Sequence, residues 1–354
     1  SPSVSSEPRV PPNPANANQS AIRKIAGGDS LSADETRVAF ELVMSGEGTA
    51  AQIAALLVGL RVKGETEAEV AGVVQAMRGA MVRLKADRPE DLVDTCGTGG
   101  GTVHTFNIST AAALLAAGMG VRIAKHGNRS FTTQCGSADV LEALGIKIEV
   151  GVETMERALA DAGIVFMFAP LMHPAMKHVG PVRRELMIPT VMNVVGPLAN
   201  PAMAGRQVIG VAEDRRVPLL AGALRALGTR HAMVVHGTGM DEISPLAPTH
   251  VVEIREGRVD EWTIDPAAFG YTGLNAADLA GGTPDANAAT ILAALRGESN
   301  RAVRGALVLN AGAALYVGGH APTFRDGVEA AEKGVESRAG LAGLGRLRTA
   351  FSTS

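Results

Sequence analysis

Leu92-Val93-Asp94-Thr95-Cys96-Gly97-Thr98-Gly99-Gly100-Gly101 reads as a short apolar strand running into four glycines within five residues. Asn107-Ile108-Ser109-Thr110 then opens an alanine-rich helix, so the stretch spells strand, glycine loop and helix, the opening unit of an α/β fold. Three later segments share one grammar. Leu141–Gly145 precedes Ile146–Val150, Leu159–Gly163 precedes Ile164–Phe168, and Leu224–Gly228 precedes His231–Val235. Each reads as a helix stopped by a glycine that tolerates positive φ, followed at once by a strand. Successive units of this kind predict a mostly parallel central sheet flanked by helices. His250–Ile264 departs from the pattern, alternating apolar residues around Glu256-Gly257 as a hairpin does. Long helices at Ala286–Arg296, Ala302–Val317 and Gly327–Thr349 are expected to close the chain.

The chain before Asp91 follows different rules. Ser32 with Glu35 three positions on is a capping-box signature for a helix to about Met44. Thr49 opens Ala51–Lys63, with Ile53, Leu56, Leu57 and Leu60 at helical spacing, and Thr66 opens a helix expected to end near Leu84. This predicts a second, small all-helical domain over residues 20–90, joined by about 172–195, because Pro170–Leu198 holds helical stretches without a strand. The α/β domain then takes 91–171 and 196–354. Residues 1–19, with five prolines and no apolar periodicity, are expected to form a disordered tail.

Composition narrows the function classes. The 354 residues carry 33 Lys+Arg against 36 Asp+Glu, a net charge of −3, and only 8 Phe, 2 Tyr and 1 Trp. A protein built to grip nucleic acid needs a basic field and often stacking rings, so no nucleic-acid partner is expected. The longest apolar runs, Ala111–Val121 and Ala162–Met172, fall short of the ~20 residues that span a bilayer. Two cysteines make no disulfide framework and no signal pattern opens the chain, so a cytoplasmic location without membrane attachment is expected. Gly, at 42 residues, is in surplus. Part of it serves as helix stops and part lies in candidate anion loops.

Four segments could carry chemistry. The Gly97–Gly101 loop is either a tight turn with ordinary capping or an anion cradle, since exposed amides and a helix N-terminus favour negative charge. Asn107 and Ser109 are good caps, and Thr105, Ser109 and Thr110 add hydroxyls. No Gly-Lys-Ser/Thr follows to make a Walker loop, and Thr102 stands where the dinucleotide fingerprint needs its third glycine. Val121–Ser130 is a strand ending in Lys125, His126, Asn128 and Arg129 around Gly127, with Thr132, Thr133 and Ser137 beyond. It is either a phosphate-binding strand end or a solvated basic loop. Met233–Ser244 exits through glycines to Asp241 and Glu242, a pair suited to Mg²⁺ or simply solvated. His173–Arg184 reads as a polar helix whose cations face either a cleft or water.

In combination and in order, these segments resemble the anthranilate phosphoribosyltransferase family, of the nucleoside-phosphorylase-like class. The resemblance runs from about Ser20 to the last helix. It rests on Gly97-Thr-Gly-Gly100, Thr105–Thr110, Lys125–Ser130, Gly136-Ser-Ala-Asp139, His173-Pro with Arg183, Gly196-Pro-Leu-Ala-Asn200 and Asp241–Ser244. It implies transfer of a phosphoribosyl group from phosphoribosyl pyrophosphate (PRPP) to anthranilate by a homodimer assembled through the helical domain, with two Mg²⁺ ions. By the same resemblance, the PRPP site comprises Gly97, Gly100, Gly101, Thr105, Asn107, Ile108, Ser109, Thr110, Lys125, His126, Gly127, Asn128, Arg129, Ser130, Thr132, Thr133 and Ser137. Anthranilate meets Gly97, His126, Asn128, His173, Arg183 and Pro197. Metal falls to Ser109, Asp241 and Glu242, and the catalytic roles to Lys125, Asn128 and Arg183. The family's loop usually reads Gly-Thr-Gly-Gly-Asp, whereas Gly101 occupies its fifth position here. Thr132, Thr133 and Gln134 replace serines and a lysine common in the family. Two relatives of the same architecture are the alternatives: a pyrimidine nucleoside phosphorylase, with a Lys-Xaa-Ser-Xaa-Arg signature, and the family's non-catalytic nucleic-acid-binding paralogue.

Overall fold

The computed structural model describes residues 16–130 and 133–352. Seven strands form one sheet: β1 (Val93–Gly97), β2 (Ile123–Gly127), β3 (Ile164–Phe168), β4 (Arg206–Gly210), β5 (His231–Gly237), β6 (Thr249–Arg255) and β7 (Arg258–Ile264). Their order is β3-β2-β1-β4-β5-β6-β7. β1 to β5 run parallel, and the β6–β7 hairpin adds two antiparallel strands at one edge. The expected α/β class with a mostly parallel sheet is therefore the fold of the larger unit. Strand order reverses between β1 and β4, and in open parallel sheets such a switch point opens a crevice beyond the carboxyl ends of the strands.

The described chain divides into two compact units. One takes the residues up to Ala80 together with Ala175–Val191, and the other takes Met81–Pro174 with Met192 onward. In the helical unit both capping boxes form: Ser32 with Glu35 starts Ala33–Ser45, and Thr49 with Gln52 starts Ala50–Lys63. The buried Glu69 carboxylate accepts from the amides of Leu31 and Thr66, at 2.9 and 2.8 Å, and from Lys63 Nζ at 2.9 Å. The helix Met176–Leu186 returns to this unit, bringing the His178 ring against Gly46.

Several sequence expectations need correction. Ala17–Gln19, expected in a disordered tail, begin the helix Ala17–Ala26, with Ala17 and Asn18 buried; residues 1–15 lie outside the described residues. The Thr66 helix stops at Ala80 rather than Leu84, because the next residues pair elsewhere: Val82 N donates to Met172 O and Leu84 N to Pro201 O. Ile146–Val150 is no strand. Ile146, Ile148 and Val150 are buried in alternation, but the segment pairs with no strand of the sheet. The expected helix Gly327–Thr349 is two helices, Phe324–Glu336 and Ala339–Ser352, divided where Arg338 takes a φ of 58°. Strand β4 carried no expectation. Gly145, Gly163 and Gly228 do take positive φ, as helix stops should.

The alanine-rich helix Ile108–Gly118 joins β1 to β2 and lies inside the core, with Ala111–Ala117 fully or almost fully buried. Small residues let backbones touch. A Cβ on Gly118 would stand 1.9 Å from Ala339 O, and one on Gly343 would stand 2.4 Å from Leu114 O. The helix that presents Ser109 is thus seated directly on the last helix. Gly118→Val should lower unfolding stability by about 1–3 kcal/mol or more through overpacking. Gly79→Ala, on an exposed face with nothing within 4 Å, should stabilise the helix Glu67–Ala80 by about 0.5–1 kcal/mol. Urea denaturation checks both, and equal midpoints would refute the packing account.

Candidate active site

β1 and β4 end side by side at the paired residues Gly97 and Gly210. A Cβ on Gly97 would fall 2.2 Å from Asp241 Oδ2, and one on Gly210 would fall 1.6 Å from Asp241 O. Only glycine at both strand ends lets the segment after β5 cross the switch point. The loop beyond Gly97 is tied to that segment. Gly99 N donates to Asp241 Oδ2 at 2.8 Å, and Val103 N donates to Gly239 O at 3.0 Å. Gly99 and Gly100 have φ of 72° and 87°, which their residue type accommodates without cost. Gly101 is tight: its Cβ would stand 2.9 Å from Gly239 O.

The helix after the loop supplies the next groups. Ser109 N donates to Glu242 Oε1 at 3.1 Å, and Ser109 Oγ accepts from Lys125 Nζ at 3.2 Å. Lys125, on β2, is buried and also donates to Thr95 O. Asn107 occupies the helix N-cap position with a φ of 65°, but its side chain caps nothing. It donates instead to Cys135 O at 3.1 Å and accepts from Asn287 Nδ2 at 2.9 Å. Thr105 bridges to Ala280. Ile108 is buried in the apolar core, so only its backbone faces polar chemistry; Thr110 Oγ1 is buried without a hydrogen-bond partner among the described residues.

Beyond β2, Gly127 leaves room for Ser137 Oγ, which a Cβ would approach to 2.1 Å. Ser137 does not cap the helix that follows it. It is the first residue of Ser137–Ala143, and Gly136 N donates to Asp139 Oδ2 at 2.8 Å in the capping role. Asn128 O receives Ala138 N and Ser137 Oγ, at 3.1 and 3.3 Å. The Arg129 guanidinium is committed to Asp139 and Glu142, at 3.0 and 2.5 Å, and lies over the Phe168 ring. Ser130 and Thr133 hydroxyls meet at 2.5 Å. Thr132 lies outside the described residues. Pro197 O accepts from Gln207 Nε2 at 2.8 Å. Arg183 lies on Met176–Leu186, in the helical unit.

His126 and His173 face each other with ring centroids 4.9 Å apart. Burial first, then the charges of His173 and Lys125, lower His126 to about 3, and burial lowers His173 to about 4. Both rings are neutral at pH 7. Behind them Asp94, which sequence reasoning passed over, accepts from Asn200 Nδ2 at 2.8 Å and from His126 N at 3.3 Å. Burial raises Asp94 to about 6. On the other side, burial raises Asp241, and burial followed by the charge of Asp241 pushes Glu242 up to about 8. Two adjacent carboxyls that resist ionisation together, with the Ser109 hydroxyl alongside, form a hard-oxygen donor set whose own repulsion a divalent cation would relieve.

Two family models match the chain: the a/b domain of a glycosyl transferase family over residues 89–341, and the helical bundle domain of that family over residues 19–81. The chain belongs to this glycosyl transferase family. Among its relatives, the anthranilate phosphoribosyltransferase of Rubrobacter xylanophilus is 50% identical over 328 residues, 92% of this chain and 95% of the relative. That of Anaeromyxobacter dehalogenans is 47% identical over 329 residues, 93% and 97% of the two chains. The crystal structure of anthranilate phosphoribosyltransferase from Thermus thermophilus superposes with a TM-score of 0.88 at 39% identity, covering 94% of this chain and 99% of that one. The enzyme from Saccharomyces cerevisiae in complex with PRPP and Mg gives 0.85 at 25% identity, covering 95% and 98%.

An imidazole that titrates at about 4 when folded, against a reference of 6.5, binds its proton only in the unfolded chain between those values. It therefore costs stability as the pH falls from 6.5 toward 4 and nothing above 6.5. His173→Phe should make the acid-side loss of stability shallower by on the order of 2 kcal/mol between roughly pH 7 and pH 4.5. Urea denaturation at each pH reads it, and parallel profiles for the two proteins would refute a neutral buried His173.

Proposed function

We propose that the protein transfers the phosphoribosyl group of PRPP to the amine of anthranilate, giving N-(5-phosphoribosyl)anthranilate and pyrophosphate. The observation that carries this reading is the convergence at the switch point of the glycine loop, Lys125, Ser109 and the Asp241–Glu242 pair, in a chain half identical to a relative of that name. The Gly100 and Gly101 amides and the Lys125 ammonium suit the pyrophosphate end of PRPP. In the reaction the bond from ribose C1 to the pyrophosphate oxygen breaks, with the electron pair leaving on oxygen. The anthranilate nitrogen forms the new bond to C1 and then loses a proton. That amine is neutral and nucleophilic at pH 7, so a covalent intermediate and a strong base are unnecessary. Lys125 offsets charge growing on the leaving group, while Asn128 and the neutral His126 and His173 line the anthranilate side. Arg183 offers a planar fork for the anthranilate carboxylate. Ser109, Asp241 and Glu242 would hold Mg²⁺, in two ions with the help of substrate oxygens; bound there, the metal supplies positive charge to the pyrophosphate. The reading extends to a cytoplasmic homodimer assembled through the helical unit. No helix among the described residues is long and apolar enough to cross a membrane.

Mixing the protein with PRPP, Mg²⁺ and anthranilate should extinguish anthranilate fluorescence, and no loss would overturn the proposal. In the same assay Arg183→Ala should raise the anthranilate KM by tenfold or more, about 1.4 kcal/mol, with a smaller change in kcat. Asp241→Ala or Glu242→Ala should mainly reduce kcat. An unchanged KM in Arg183→Ala would remove the carboxylate assignment.

By the resemblance, Gly101 stands where an acid is usual in the family. A carboxylate at this position would sit beside the metal ligands, but its Cβ would press on Gly239 O at 2.9 Å. Gly101→Asp should therefore shift the Mg²⁺ dependence of turnover and alter PRPP affinity. Superimposable Mg²⁺ titrations of the two proteins would show that the missing acid is immaterial.

A further inference from the structure

At the opposite end of the strands from the glycine loop, the α/β unit holds a cavity of about 440 Å³ lined by Arg206, Arg230, His231, Arg255, Tyr316 and His320 among others. The sheet register builds it. Arg206 opens β4 and pairs with His231, which opens β5 and pairs with Arg255, the last residue of β6. Residues in register on neighbouring strands share a face, and strands lie roughly 4.8 Å apart, so two guanidiniums flank one imidazole within a single row. Arg230, one residue before β5, adds a third. The row stands one strand length, roughly 13 Å, from Gly210 and the switch point.

Positive charge here exceeds what the protein itself neutralises. Asp91 serves three arginines, 2.9 Å from Arg230 Nη1, 3.5 Å from Arg88 Nη1 and 3.6 Å from Arg206 Nη2, and Glu256 takes Arg230 Nε at 3.1 Å. Glu253, the next carboxylate inward, is occupied by Tyr316 and His231 at 2.7 Å each and by Trp262 Nε1 at 3.0 Å. Arg255 has the Tyr316 ring beneath it, at 6.0 Å. Arg206 Nη1 donates to Val317 O at 2.6 Å, while its Nε is buried with no hydrogen-bond partner among the described residues. Burial, and then repulsion from Arg230, hold the Arg206 guanidinium below its usual range; the Arg206 charge, after burial, lowers His320. Three forked donors around a cavity of this size, with one buried N–H unspent, match the geometry of a tetrahedral oxyanion.

We propose that this cavity is a second anion site, taking a phosphate group either free or as the monoester of a small sugar. The only tryptophan of the chain, Trp262, reports on it, because its indole N–H and the Tyr316 hydroxyl share Glu253. Titration of the full-length protein with inorganic phosphate, read on the Trp262 indole NMR resonance, should give a saturable shift. Arg206→Gln and Arg255→Gln should each weaken it at least tenfold, about 1.4 kcal/mol. Arg255 is exposed and holds no backbone group, so its variant tests the site even if loss of the Arg206–Val317 bond impairs folding. Lys125→Ala should leave the titration unchanged. A parallel titration with ribose 5-phosphate separates the sources: tighter binding identifies a monoester, equal binding the free ion. Absence of a shift, persistence of the shift in Arg255→Gln, or its loss in Lys125→Ala would each overturn the proposal.

Discussion

Two strands end in glycine where the Asp241 segment crosses them, and no side chain fits in either gap. The rest of the site depends on that approach. Because the backbone after β5 lies directly on the ends of β1 and β4, Asp241 reaches the Gly99 amide and Glu242 reaches the Ser109 amide. The glycine loop, the helix it feeds and the acidic pair then form one hydrogen-bonded body. The buried helix Ile108–Gly118 holds that body in register, and its own seat on the last helix again requires glycines.

Electrostatics divides the site into two regions. Around Glu242 the protein gathers carboxyl groups whose ionisation burial and mutual repulsion make costly. Around His126 and His173 burial keeps two facing rings neutral. Lys125 lies between them, held by Thr95 and Ser109. The amino-terminal edge of the sheet is built on the opposite principle, with guanidiniums in excess of carboxylates.

Much of this was legible locally. The caps at Ser32 and Thr49, the glycine stops at Gly145, Gly163 and Gly228, and the hairpin at Glu256-Gly257 obey rules that involve only a few neighbouring residues. The failures are also physical. Ile146–Val150 has the alternation of a strand but no neighbour to pair with, and Arg338 breaks a helix that its periodicity would have continued. Asn107 resembles a cap in sequence, yet its side chain is taken by Cys135 and by Asn287, 180 residues away. Asp94 looked like one more residue in a strand until Asn200, 106 residues on, came to its carboxylate.

The sequence by itself determined the fold class, the parallel units and the ordered motifs that placed the chain in its family, because periodicity, capping and glycine conformations are local properties. Only the tertiary structure decided where β4 lies, which carboxylates share a site, and which cations are spent on structural ion pairs, as Arg129 is, or left in excess, as at Arg206. Those outcomes depend on strand order and on burial, and both arise from contacts between residues that the chain keeps far apart.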